Sequence, residues 1–297
     1  MERKQNALQR SLLSLFIYAL LFYLFFDQNL TYVAAILVVL IIHEMGHFLL
    51  MRRYGYSNVK IFIIPLLGAL TSGNKQQVSQ KQLSFIILAG PVPGILLGML
   101  LYYLNLEWNN ENVKILAYSF LIINLLNCLP FHPLDGGRLI ETLFFKDNFI
   151  IHMVFGILSI MVLLLMAIFA QSFILVLVPF FIALELYNES KYQKIREYLK
   201  QEKINYRVDY ASLPDRDYWL MRDCLIFSFP KKYSSLAPGR YEYSILEGII
   251  IQHISAVLQT NLVPDLKGFR KLLVLLFYLA IFIGPVVYLV VSRDWGQ

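Results

Sequence analysis

Ile41-Ile42-His43-Glu44-Met45-Gly46-His47-Phe48-Leu49 lies inside the apolar run Leu30 to Met51. Its pattern is H-E-x-x-H. On a helix, His43 and His47 are one turn apart and share a face. Two imidazoles at that spacing can grip one Zn²⁺ and leave Glu44 beside the metal as a base for water. A His-Glu pair in so apolar a run is costly unless it faces the interior of a bundle and meets a partner. The short motif alone arises by chance; its placement makes it a functional signal.

Composition agrees with a membrane setting. Of the 297 residues, 58% are hydrophobic and 15% charged, and the mean hydropathy is +0.59. Soluble chains carry roughly a quarter charged residues. The net charge of +6 could point to nucleic acid. The basic residues instead gather beside apolar runs, the pattern of cytoplasmic membrane loops, so no nucleic-acid partner is expected. Two cysteines, Cys128 and Cys224, provide no disulfide framework.

Around the motif the apolar runs are Ser11 to Phe26, Leu30 to Met51, Leu83 to Leu104, Val113 to Leu129, Phe149 to Ala170, Phe173 to Tyr187 and Leu272 to Val291. The first has no small-residue cleavage site after it and reads as a retained span. The expected fold is an all-α polytopic membrane protein of about seven transmembrane helices. A short membrane-embedded β-hairpin or re-entrant segment follows the second. Residues 1–187 would form a six-span core, 188–268 a small cytoplasmic segment or domain, and 269–297 a last helix and tail. Arg52-Arg53 closes the second span on the cytoplasmic side. His43 then lies about 12 Å below that end, at ~1.5 Å per residue.

Asn58 to Gly73 is too short to span as a helix and too apolar for an ordinary loop. Val59, Ile61 and Ile63 alternate, and Pro65 and Gly68 break a helix. Either a re-entrant connector or a strand edge that pairs with an extended substrate fits this pattern. On the second reading Ile61, Ile63 and Gly68 border the substrate.

After Asn124 and Asn127, the fourth run ends at Pro130, and Phe131-His132-Pro133-Leu134-Asp135-Gly136-Gly137-Arg138 follows. A turn that projects a carboxylate at this point is one way to bring in a third metal ligand. A His₂-carboxylate set leaves a position open for water, as catalytic zinc requires. Asp135 could equally be a turn residue before two glycines. Asn127 and Asn124 could bond neighbouring helices or orient the site and the substrate. His132 reads as a helix-end packing residue rather than a ligand.

Together, His43-Glu44-Met45-Gly46-His47, Asn127-x-x-Pro130 and Leu134-Asp135-Gly136-Gly137 resemble the site-2 protease family of intramembrane zinc metalloproteases. The likeness covers roughly Leu30 to Ile140. It implies that His43, His47 and Asp135 ligate one zinc ion and that Glu44 activates the water. It also implies cleavage of a single-span membrane protein within its transmembrane segment. His132 departs from the family, where many members have proline. No glycine-rich carboxylate-binding loop supports a PDZ domain in 188–268, a segment that could instead meet a regulatory partner. The expected location is the bilayer of a bacterial cell (inner) membrane, with the active site nearer the cytoplasmic face. Other classes stay open: a metalloprotease taking Glu185 or Glu189 as third ligand, a metal transporter, or a non-catalytic metal-binding scaffold.

Overall fold

The structure is a computed structural model and describes residues 29–64, 68–75, 77–145, 148–169, 171, 176–208, 210–259 and 261–294. The Asn29 side chain accepts a hydrogen bond from the Thr31 amide and opens helix α1, Leu30–Arg53. Arg52 and Arg53 occupy its last turn, where cations favour the negative end of the helix dipole. Val39, His43, His47 and Met51 recur every fourth residue and are buried. Val38, Ile41, Met45 and Leu49 are exposed. The polar side chains therefore face inward and bare aliphatic ones outward, which only a lipid environment favours.

Past Gly55, β1 (Ser57–Ile64) and β2 (Gly68–Asn74) pair as an antiparallel hairpin, with Ile61 opposite Thr71 and Ile64 opposite Gly68. The expected hairpin is present. Helices α2 (Gln80–Ala89) and α3 (Pro91–Trp108) meet at Gly90, where Pro91 starts the second. Helix α4 (Glu111–Asn127) packs on α3 through Gly94 and Gly98, where a Cβ would meet Asn124 and Leu121. A turn that includes a cis His132–Pro133 bond leads to α5 (Asp135–Ile140), which continues as a π-helical turn, Glu141–Phe145. The two glycines after Asp135 are required by close approach. A Cβ on Gly136 would overlap the Cys128 carbonyl, and one on Gly137 the Phe131 carbonyl.

Helices α6 (Phe149–Phe169) and α7 (Leu177–Gln201) pack with Gly156 against Leu186. The expected end of the sixth span at Tyr187 is not an end of helix. From Asn188 the composition turns polar, but no glycine or proline intervenes and Glu, Gln, Lys and Arg sustain the same helix. Then come α8 (Asp215–Ser228), α9 (Glu247–Val257), β4 (Asn261–Val263) and α10 (Phe269–Asp294). β4 pairs in parallel with β3 (Gln77–Ser79), a pairing the sequence did not lead us to expect.

The chain divides into a core unit, residues 1–74, 80–146 and 264–297, and a second unit, 75–79 and 147–263. Ile87, Ile95, Leu121, Leu139 and Tyr278 centre the core unit. Leu199, Met221, Leu225, Ile250 and Ile254 centre the other.

Among the described residues four helical stretches are long and apolar enough to cross a membrane: Leu30–Arg53, Gln80–Trp108, Phe149–Phe169 and Phe269–Val291. The fold is mostly helical, and its apolar helices are those of a membrane protein. The expected count of seven is not reached among the described residues. The first run lies outside the described residues. The fourth makes the 17-residue α4, which is short for a bilayer, and from Leu177 the sixth is the apolar start of α7.

Candidate metal centre

Three side chains from two distant parts of the sequence converge in the core unit. His43 Nε2 and His47 Nε2 are 3.2 Å apart on successive turns of α1. Asp135 Oδ2, at the start of α5, lies 3.1 Å from the first and 3.2 Å from the second. All three residues are buried.

The protonation of the imidazoles follows from their other nitrogens. His47 Nδ1 is 2.8 Å from the Ile86 carbonyl, which can only accept, so Nδ1 carries the hydrogen. His43 Nδ1 is 2.8 Å from Asn124 Oδ1. The Asn124 amide is oriented by its own Nδ2, which donates to the Phe120 carbonyl at 2.7 Å. Oδ1 therefore faces His43, and its Nδ1 also donates. In its neutral form each ring then points an Nε2 lone pair at the Asp135 carboxylate. Asp135 Oδ2 is buried and takes no hydrogen bond.

With both rings neutral, three acceptors face one another. That is repulsive unless a cation sits among them. The triangle they form has edges of 3.1 to 3.2 Å. A tetrahedral zinc ion with bonds of about 2.0 to 2.1 Å needs edges of roughly 3.3 Å. The residues present therefore fit zinc.

Small residues make the convergence possible. A Cβ on Gly90 would overlap His47 Nε2 and crowd His43 Nε2, so only glycine can back the site there. A Cβ on Gly46 would run into the Ala89 carbonyl, so α1 lies with its backbone against the α2–α3 junction. Arg138, one turn into α5, has Nη1 3.7 Å from Asp135 Oδ1 and leaves Oδ2 to the imidazoles.

Glu44 is adjacent. With His43 and His47 it offers ligand atoms that all lie within 4.8 Å of one another. The Asp135 carboxylate oxygen lies at 3.1 and 3.2 Å from the two imidazoles, close enough to share a metal ion with both. Glu44 Oε2 accepts a 2.6 Å hydrogen bond from the Thr71 hydroxyl of β2.

The structure brings Asn124, not Asn127, to the imidazoles. Asn127 Nδ2 donates to the Ile123 carbonyl of its own helix at 3.1 Å. Ile61 is the register partner of Thr71 and shares its face of the hairpin; Ile63 pairs with Ala69 and Gly68 with Ile64 along the same ladder. His132 turns Nδ1 to Glu141 Oε1 at 3.2 Å. Glu189 pairs with Arg196 in the second unit. Thr71 and the Ile86 carbonyl escaped the sequence reading. Neither belongs to a spaced motif, and a carbonyl contact leaves no residue-type signal.

Residues 31–109 match Peptidase family M50. The zinc metalloprotease MJ0392 of Methanocaldococcus jannaschii is 24% identical over 177 residues, covering 56% of this chain and 51% of that protein. Stage IV sporulation protein FB of Bacillus subtilis is 28% identical over 114 residues, 38% of this chain and 40% of that protein. The chain thus matches about half or less of the length of these curated relatives. The solved structure of a site-2 protease from Methanocaldococcus jannaschii aligns with a TM-score of 0.46 at 21% identity, covering 57% of this chain and 84% of that one.

Fold and site together define a helical membrane protein with a buried centre of two histidines and a carboxylate that fits zinc. Its family resemblance, carried by the match across the H-E-x-x-H helix and the hairpin, is to Peptidase family M50.

Proposed function

We propose that this protein is an intramembrane zinc metalloprotease that hydrolyses a peptide bond within or near the transmembrane segment of a membrane-protein substrate. The observation that carries the reading is the convergence of two Nε2 lone pairs and one buried carboxylate oxygen beside Glu44.

His43, His47 and Asp135 would hold one zinc ion. When bound, zinc supplies a Lewis acid and makes water acidic near neutral pH. Asn124 and the Ile86 carbonyl hold the imidazoles in the tautomer that ligates. Glu44 accepts the proton of the attacking water and returns one to the leaving nitrogen as the C–N bond breaks. The substrate must be extended at the cleaved bond, because a helical peptide bond is shielded by its own backbone. The edge of the β1–β2 hairpin offers main-chain hydrogen bonds to an unwound segment, with Ile61 and Ile63 along the strand and Gly68 at its turn.

We place the protein in the cell (inner) membrane of a bacterium, with the centre nearer the cytoplasmic face. Its substrate is a single-span membrane protein, and residues 188–268 are the segment for a regulatory partner. Glu185 and Glu189 are not needed as ligands once Asp135 fills that role.

The test is expression beside candidate single-span proteins, comparing wild type with Glu44→Gln. Glutamine keeps the size and cannot accept the proton, and general-base help is worth roughly 10² to 10⁴ in rate. Wild type should yield a shortened product and Glu44→Gln none, with about one zinc per chain in both. Equal processing by the two proteins, zinc still bound, would make the centre a metal site of another kind.

A further inference from the structure

The carboxylate of Glu44 is held by an element that does not belong to its own helix. Thr71 is 5% exposed and lies on β2. Its hydroxyl is 2.6 Å from Glu44 Oε2 and 3.2 Å from the Glu44 carbonyl. A hydroxyl has one proton to donate, and the shorter distance and the charge both favour the carboxylate.

We propose that Thr71 is the positioning residue for Glu44: its hydroxyl fixes the carboxylate against the metal centre, so that strand β2 sets the reach of the base. The inference rests on the protease reading, in which Glu44 moves the proton.

Three features make threonine suited to this. A glutamate side chain turns about several bonds, and one directed hydrogen bond removes much of that freedom. Threonine is β-branched and holds few rotamers, so its hydroxyl moves only as the strand moves. The register of the hairpin, with Thr71 opposite Ile61 and Ser72 opposite Lys60, fixes which face carries it. A slip by one residue would turn Thr71 away and bring Leu70 or Ser72 to that face. One oxygen of Glu44 is engaged, and the other is left for the proton.

The test uses the purified full-length protein, zinc loaded, on a single-span substrate that wild type cleaves. Thr71→Val keeps the shape and removes the donor; Thr71→Ser keeps the donor and loses one methyl. Thr71→Val should lower kcat about 10- to 100-fold, the range for a hydrogen bond to a charged group. KM should stay within about twofold, and zinc content should equal that of wild type. Thr71→Ser should recover kcat to within about threefold of wild type. Wild-type kcat in Thr71→Val overturns the inference. So does a Thr71→Ser variant as slow as Thr71→Val, or loss of zinc in Thr71→Val, since either makes the role one of packing. Glu44→Gln, run in parallel, separates the two levels of the argument. Cleavage by it at the wild-type rate overturns the protease reading itself, whatever Thr71 does.

Discussion

Each unit buries a polar cluster, and the two are built on opposite rules. In the second unit, Arg222 donates from Nε to Glu247 Oε1 at 3.2 Å, from Nη1 to the Arg240 carbonyl and from Nη2 to the Glu242 carbonyl. Glu247 also accepts from the Tyr218 hydroxyl and, at Oε2, from the amide and hydroxyl of Ser244 at 2.9 and 3.1 Å. Donors and acceptors match, and a charge pair so satisfied can be buried without further help. In the core unit, the outer nitrogens of His43 and His47 donate to Asn124 and the Ile86 carbonyl, and their Nε2 atoms and the Asp135 carboxylate, three acceptors, face inward. A saturated cluster serves the fold. An acceptor-only cluster, equally buried, is a place for a cation.

The sharpest way to break this comparison is to cut one member from each cluster. Asp135→Ala or His47→Ala leaves two protein ligands, and purified protein should lose nearly all its zinc, measured as metal content per chain. The metal-free form of Asp135→Ala should not suffer, because one of three mutually repelling acceptors has gone. Its melting temperature should equal or exceed that of metal-free wild type. Full zinc retention in both variants would remove the ligand assignment.

The second cluster should answer the other way round. Glu247→Ala leaves Arg222, 2% exposed, with its charge unpaired. Breaking a buried pair by removing one partner costs about 3–5 kcal/mol. Chemical unfolding followed at the second unit should register that loss while metal content stays at the wild-type level. Loss of zinc in Glu247→Ala would mean that the two clusters are not independent.

How much of this was legible in the sequence depended on the kind of contact. His43 and His47 share a face by helical geometry alone, so the pair could be read directly. The hairpin announced itself through Val59, Ile61 and Ile63 and the breakers after them. Asp135 lies far along the chain, and its part could be read only from the Leu134-Asp135-Gly136-Gly137 turn and the family resemblance. Asn124 and Asn127 are both near the end of one helix, and periodicity did not choose between them. The choice is made by Gly94, whose missing side chain leaves the notch that Asn124 fills. Thr71 was illegible because strand register, not spacing, brings it to Glu44. The run from Leu177 through Lys200 misled in the opposite sense: its composition changes at Asn188 while its backbone stays helical.

The smallest effect expected is a pH dependence confined to the saturated cluster. Burial alone would raise the pKa of the Glu247 carboxyl; the Tyr218 hydroxyl, the Ser244 amide, the Arg222 guanidinium and the Ser244 hydroxyl together hold it below its ordinary value of 4.5. A carboxylate whose pKa is depressed by folding stabilises the folded state above its unfolded pKa, about 4.3. That contribution is lost as the pH falls through the lower, folded value. Between pH 7 and 5 the second unit should therefore hold its stability, and below about 4.3 it should weaken more steeply in wild type than in Glu247→Gln, which has no proton to gain. Trp219 packs against Tyr243 and under Arg222 and reports on this region. With Trp108 and Trp295 replaced by phenylalanine, its fluorescence can follow unfolding at each pH. Metal release at acid pH is a separate event, because the zinc ligands must be deprotonated to bind. It should appear in metal content for both proteins alike. If wild type and Glu247→Gln lose stability in parallel below pH 4.3, the carboxylate is not what its neighbours are arranged to hold. The contrast between a saturated and an acceptor-only cluster would then rest on the metal centre alone.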